Sequence, residues 1–153
     1  MIPDFAKAWA ANQEALRNYI AATPMEETAG TYEDLVRIVF GHVVNPYLVA
    51  HDEEEYDLSN MTVIDHGDYQ GTTLYVIPLK TYQPTIGQYV WTHNFYGSCS
   101  GCDTLLGITQ YDWSEKPNHQ QVSELMTLCL HILQRCTILD YTDPTEETLN
   151  QTF

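Results

Sequence analysis

The chain has 153 residues, 44% of them hydrophobic and 12% aromatic, with 21 acidic and 6 basic side chains and a net charge of −15. A length and composition of this kind point to a single domain over residues 1–153 with a packed core, and exclude a globally disordered chain. They also exclude a direct grip on nucleic acid, because six scattered Lys and Arg residues form no basic patch.

In chain order, residues 4–22 read as a helix. Phe5, Ala8, Trp9, Leu16, Tyr19 and Ile20 recur at spacings of three and four and share one stripe. Pro3 suits the first turn, and Thr23-Pro24 ends the helix. A second helix opens at Thr31 as N-cap, with Asp34 as its capping-box partner. Its stripe is Tyr32, Leu35, Val36, Val39, Phe40 and Val43, and Asn45-Pro46 is expected to end it. Residues 46–60 then read as a surface loop with the densest charge in the chain: Asp52, Glu53, Glu54, Glu55 and Asp57.

Three strands follow. Residues 61–66 alternate Met61, Val63 and Asp65 against Thr62, Ile64 and His66. Residues 67–71 carry turn chemistry, and residues 72–79 are rich in β-branched and aromatic side chains, with Pro78 marking an edge or a strand end. After a loop over residues 80–87, residues 88–96 place Tyr89, Trp91, His93 and Phe95 on one face and Gln88, Val90, Thr92 and Asn94 on the other. A third helix over residues 119–135 carries Val122, Leu125, Met126, Cys129, Ile132, Leu133 and Cys136 on one stripe, capped by Asn118 with Gln121. Residues 137–141 read as a short last strand and residues 142–153 as an acidic, frayed tail. Short links between the strands favour antiparallel pairing, so the expected fold is α+β: a small antiparallel sheet of three to four strands covered by about three helices.

The longest strongly apolar run, residues 74–79, is far below the roughly 20 residues of a membrane span. Met1-Ile2-Pro3-Asp4 has no basic run, so no export leader is expected, and the four cysteines are expected as thiols or metal ligands.

The most unusual segment is Tyr96-Gly97-Ser98-Cys99-Ser100-Gly101-Cys102-Asp103, between a strand and a short helix over residues 103–106. Four readings fit it. It is a structural turn in which small residues let backbones approach and Asp103 caps the helix. Cys99 and Cys102 are half of a zinc site that needs two more ligands, for which His93, His51, His66 and His119 are the candidates. The same two cysteines are a redox dithiol. Or the turn holds a small nucleotide's phosphate on backbone N–H groups, with Gly97, Ser98, Ser100, Gly101 and Asp103 in the turn and Tyr89, Trp91 and His93 beside it.

Cys129 and Cys136 sit on an apolar stripe and read as packing thiols, and His131 lies too far round the helix to share an ion with Cys129. Asp65 and Asp68 flank His66 and Gly67, a spacing that suits a hydrolytic or metal site but recurs by chance in so acidic a chain. Eleven tyrosines suit an interface or a ligand pocket as well as a core and rim. No serine–histidine–acid or paired-carboxylate arrangement follows from spacing, so no catalytic residue is assigned.

Asp68-Tyr69-Gln70-Gly71-Thr72 and the stretch from Tyr96 to Leu105 together resemble a pattern in small uncharacterised proteins of bacteriophages and prophages, over residues 61–108. The resemblance implies a protein made in a bacterial cytoplasm, in a class whose small acidic members bind and disable host factors. It implies no activity and no catalytic residue.

Three functions of different class fit. The first is a binding protein, not an enzyme, that inhibits a nucleic-acid-binding host defence factor in the manner of an anti-CRISPR. It would present Asp52, Glu53, Glu54, Glu55 and Asp57 to that partner's basic surface. The second is a small-ligand module, a sponge for a nucleotide signal, built on the 97–103 turn and the aromatic strand face. The third is an adaptor stabilised by zinc on Cys99 and Cys102. The sequence calls for no other cofactor and no membrane, and it leaves the oligomeric state open.

Overall fold

A computed structural model gives the structure, and it describes residues 3–99 and 101–139. Ser100 and the tail over residues 142–153 lie outside the described residues.

Helix α1 spans Phe5–Ala22. Its N-cap is Asp4, whose side chain accepts from the Lys7 N–H at 3.0 Å, so Pro3 precedes the helix and does not sit in its first turn. Ala8, Leu16 and Ile20 of the expected stripe are buried, while Phe5, Trp9 and Tyr19 pack half-buried around them. One turn that the periodicity does not reveal, α2 at Met25–Thr28, is held from outside: Met25 N–H donates to Glu115 O at 3.0 Å and Glu26 N–H to Trp113 O at 2.7 Å.

Helix α3, Tyr32–Val39, starts with the expected Thr31–Asp34 capping box. It does not stop at Asn45-Pro46. A π turn over Phe40–Val44 carries the chain into α4, Asn45–Ala50. The π turn inserts one residue, so the Asn45 N–H reaches back to Phe40 O, and Pro46 falls at the start of α4, where a missing N–H costs nothing. The Asn12 side-chain amide of α1 donates to Val43 O at 2.9 Å, which anchors the irregular turn. The loop expected over residues 46–60 is correspondingly shorter: its first residues are helical, and Leu58–Asn60 form a 3-10 turn.

The sheet is antiparallel with strand order β1-β2-β3-β4: Thr62–Gly67, Gly71–Pro78, Tyr89–Tyr96 and Thr137–Ile138. Gly67 pairs with Gly71 across a three-residue turn. A Cβ on Gly67 would strike the Gln70 carbonyl and Gly71 Cα, and its φ of +153° suits only glycine, so the turn needs that residue. All six residues of β1 are exposed; the alternation read there buries neither face, because β1 is the edge strand of the sheet. Pro78 ends β2, as its missing N–H requires. Gln88 belongs to a 3-10 turn, Ile86–Gln88, and not to β3. The last strand is shorter than expected, with Asp140 and Tyr141 outside the described residues.

Helix α5, Thr104–Thr109, and helix α6, His119–Gln134, complete the described residues, the latter with the expected Asn118–Gln121 capping box. The core lies between the helices and one face of the sheet. Leu35, Val39, Leu125 and Ile132 are at most 2% exposed, and Tyr75, Ile77 and Val90 meet them from the strands. Cys129 is buried in this core, and burial pushes its thiol up to about 12.

The face of β3 that meets the helices is the polar one. Val90, Thr92 and Asn94 are buried, and Thr92 Oγ1 donates to Ile132 O of α6 at 2.7 Å. The aromatic row of Tyr89, Trp91, His93 and Phe95 therefore faces the other way, with Leu74 and Val76 of β2 beside it in register.

Candidate functional site

The acidic loop is pinned at its centre. Asn45 of α4 clamps the Tyr56 backbone, accepting from its N–H at 2.8 Å and donating to its carbonyl at 3.0 Å, both in the interior. The Tyr56 ring then stands edge-on to Phe40 at 5.5 Å. Around this anchor the five carboxylates divide. Asp57 turns back on its own chain and accepts from the Ser59 hydroxyl at 2.6 Å and from the Asn60 amide, which holds its carboxyl below the usual range. Glu55 pairs with Lys80 at 3.3 Å. Asp52, Glu53 and Glu54 enter no ion pair among the described residues, and Asp52 sits in the left-handed region at φ 57°.

A second acidic group is built by long-range packing, on the helix side of the sheet. A cleft of about 360 Å³ opens between the start of α3, strands β1 to β3 and α5. Asp103 is its organising residue and is 5% exposed. Its Oδ1 accepts from the Tyr32 hydroxyl at 2.8 Å and from the Leu106 N–H at 3.2 Å, and its Oδ2 accepts from the Gly97 N–H at 2.8 Å. The Tyr32 oxygen accepts in turn from the Leu105 N–H at 3.1 Å. One carboxylate thus caps α5, closes the 97–103 turn and ties both to α3. Burial, with the Asp103 charge adding to it, raises the Tyr32 hydroxyl above its ordinary range.

Across the cleft, the Tyr96 hydroxyl donates to Asp65 Oδ1 at 2.6 Å, and this bond pushes the tyrosine up to about 12. Tyr75 is buried in the floor; burial raises its hydroxyl first, and the negative fields of Glu33 and Asp65 add to the shift. Glu33 and Asp65 both line this cleft, together with Tyr32, Tyr75 and Tyr96. Glu33 is also held by Arg37 at 3.0 Å, one helical turn along α3. Asp65 is exposed, and among the described residues the Tyr96 hydroxyl tethers it. Such a set suits a cation: carboxylate oxygens for its N–H donors and tyrosine faces for its charge.

The structure separates the groups of the nucleotide reading. Asp103 lines the cleft on the helix side and accepts from the Gly97 N–H, whereas Tyr89, Trp91 and His93 project from the opposite face of β3. Ser98 and Gly101 are exposed at the turn. His93 is half-buried, and burial followed by the nearby Arg135 charge lowers its pKa. Cys99 and Cys102 lie together at the surface, with their sulfur atoms 2.6 Å apart. Among the described residues no third His, Cys, Asp or Glu joins them in a group able to hold a metal ion.

The capping role of Asp103 follows from its position before a short helix. Its bond to Tyr32, 71 residues earlier in the chain, leaves no local signal, and neither does the meeting of Asp65 with Tyr96. No helix among the described residues is long and apolar enough to cross a membrane. Comparison with known proteins finds no matching family model, no matching curated protein and no matching solved structure.

Proposed function

We propose that the chain acts by binding rather than by catalysis, and that it takes a basic protein surface with an arginine or lysine side chain seated in the cleft. The observation that carries this reading is the convergence of Glu33 and Asp65 on a tyrosine-walled cleft in a chain of net charge −15. An entering guanidinium would find Asp65 and Glu33 as acceptors and tyrosine faces for stacking. Asp52, Glu53 and Glu54 lie outside ion pairs among the described residues, so they add long-range attraction and speed encounter. A surface of this kind competes with phosphates, so the partner class is a protein whose groove normally holds nucleic acid. With the resemblance to phage proteins, that partner is a host defence factor in a bacterial cytoplasm, disabled by occupation of its groove.

The test is an NMR titration with an arginine-rich peptide and a neutral peptide of the same length. The arginine peptide should shift resonances of Tyr32, Asp65 and Tyr96, while the neutral one should not. Asp65→Asn should weaken the complex roughly tenfold, about 1.4 kcal/mol. Replacing Asp52, Glu53 and Glu54 by their amides should slow association at low salt and leave the cleft shifts in place. Shifts confined to the 52–57 loop, or equal binding of both peptides, would overturn the cleft assignment.

A further inference from the structure

We propose that Cys99 and Cys102 are a redox-active dithiol that closes into a disulfide by exchange with a small disulfide such as oxidised glutathione, and that closure braces Asp103 in the cleft. The backbone already holds the two thiols for this step. Both the Cys102 and Asp103 N–H groups donate to Cys99 O, at 3.0 and 2.9 Å, which holds Cys102 against Cys99. The Cys99 N–H donates to Cys102 Sγ at 3.0 Å, and the two sulfurs lie 2.6 Å apart at the surface. An S–S bond of about 2.05 Å needs only a small further approach. Gly97 makes room for the turn, since a Cβ there would strike the Cys102 carbonyl and stand 3.0 Å from its sulfur. The other two cysteines are unlike this pair: Cys129 is buried within α6, and Cys136 is half-buried just past the end of that helix.

The exchange balances without any other reactant. Cys102 loses its proton to solvent, and its thiolate attacks one sulfur of the small disulfide. One small thiolate leaves, and a mixed disulfide forms on Cys102. Cys99 then loses its proton to solvent, its thiolate attacks Cys102 Sγ, the Cys99–Cys102 bond forms and the second small thiolate leaves; the two released thiolates take up the two protons from solvent. Two protein thiols are oxidised and one external disulfide is reduced to two thiols. Asp103 follows Cys102 directly and closes the same turn through the Gly97 N–H, so a bond across the turn restricts the residue that links α3 to α5. The regulatory half of this inference rests on the cleft as the binding site; the chemical half does not.

The full reduced chain is equilibrated in glutathione buffers of rising oxidised fraction, quenched with an alkylating agent and mapped by peptide mass spectrometry. A Cys99–Cys102 disulfide should accumulate while Cys129 stays alkylatable only after unfolding. Cys99→Ser, an exposed and nearly isosteric change, should instead trap glutathione on Cys102. Hydrogen exchange at residues 97–106 should slow several-fold in the oxidised chain. Thiols that remain alkylatable at the highest oxidised fraction, or that carry only glutathione, overturn the dithiol; unchanged exchange overturns the bracing of Asp103. None of these readouts uses a basic peptide, so their failure is separate from failure of the binding assignment.

Discussion

Asp103→Ala should be among the most destabilising single changes in the cleft. The carboxylate takes three hydrogen bonds, from the Tyr32 hydroxyl at 2.8 Å, the Gly97 N–H at 2.8 Å and the Leu106 N–H at 3.2 Å, with 5% of the residue exposed. Bonds to a charged group are worth about 1.5–3 kcal/mol each, and loss of an N-cap costs about 0.5–2 kcal/mol. These terms overlap, and water reaches the open side of the cleft, so the expected loss is about 3–5 kcal/mol, below their sum. For a chain of this size each kcal/mol moves the melting temperature by about 2–4 °C, so the midpoint should fall by about 6–20 °C. Urea unfolding gives the free energy directly. A cycle with Tyr32→Phe separates the shared part: the hydroxyl that donates to Asp103 also accepts from the Leu105 N–H, so the pair should couple by about 1–3 kcal/mol. A loss within about 0.5 kcal/mol, the range of an uncommitted surface site, would refute the claim that Asp103 ties the three elements together.

Leu125 is 0% exposed in the core face of α6, and Leu125→Ala should cost about 2–5 kcal/mol by urea unfolding. Stability should also fall on the alkaline side. Burial raises the hydroxyls of Tyr32, Tyr56 and Tyr75 above 10.0 and the Cys129 thiol from 9.0 to about 12, so the folded chain keeps protons that the unfolded chain releases. Their contribution is complete below pH 9.0 and is lost as the pH rises through the raised values, which urea midpoints measured from neutral to strongly alkaline pH will show as a decline. Midpoints that stay flat across that interval would mean these groups are open to solvent.

The helices were the most legible part of the chain because their signals are local. The Thr31–Asp34 and Asn118–Gln121 capping boxes and the 3.6-residue stripes place the start of α3 and both ends of α6 with small error. Proline misled the reading at Pro46, since the rule that it ends a helix assumes continuous i to i−4 bonding, which the π turn interrupts. Period-two patterning misled it on β1, where both faces are exposed at a sheet edge. On β3 the alternation was right, but it gives no sign of which face meets the helices. A buried Thr92 and Asn94 opposite a row of aromatics is a tertiary choice, made by the hydrogen bond to Ile132 O and the packing of α6. The charged loop was visible as composition, but its division into spent and unspent carboxylates depends on Lys80, Ser59 and Asn60. The cleft was not legible as a unit, because its parts come from α3, three strands and α5.

The π turn at Phe40–Val44 sets the phase of everything after it. Each helical residue advances the chain by about 100°, so the one extra residue decides which way Asn45 points when α4 begins. In this phase Asn45 meets both polar groups of the Tyr56 backbone, and Tyr56 in turn fixes where the acidic loop leaves the core. Shortening the rod by one residue would swing Asn45 about a quarter turn away from Tyr56 and press the Pro46 ring against the preceding turn. The aim of the negative charges at the surface is therefore set by residue count inside a helix.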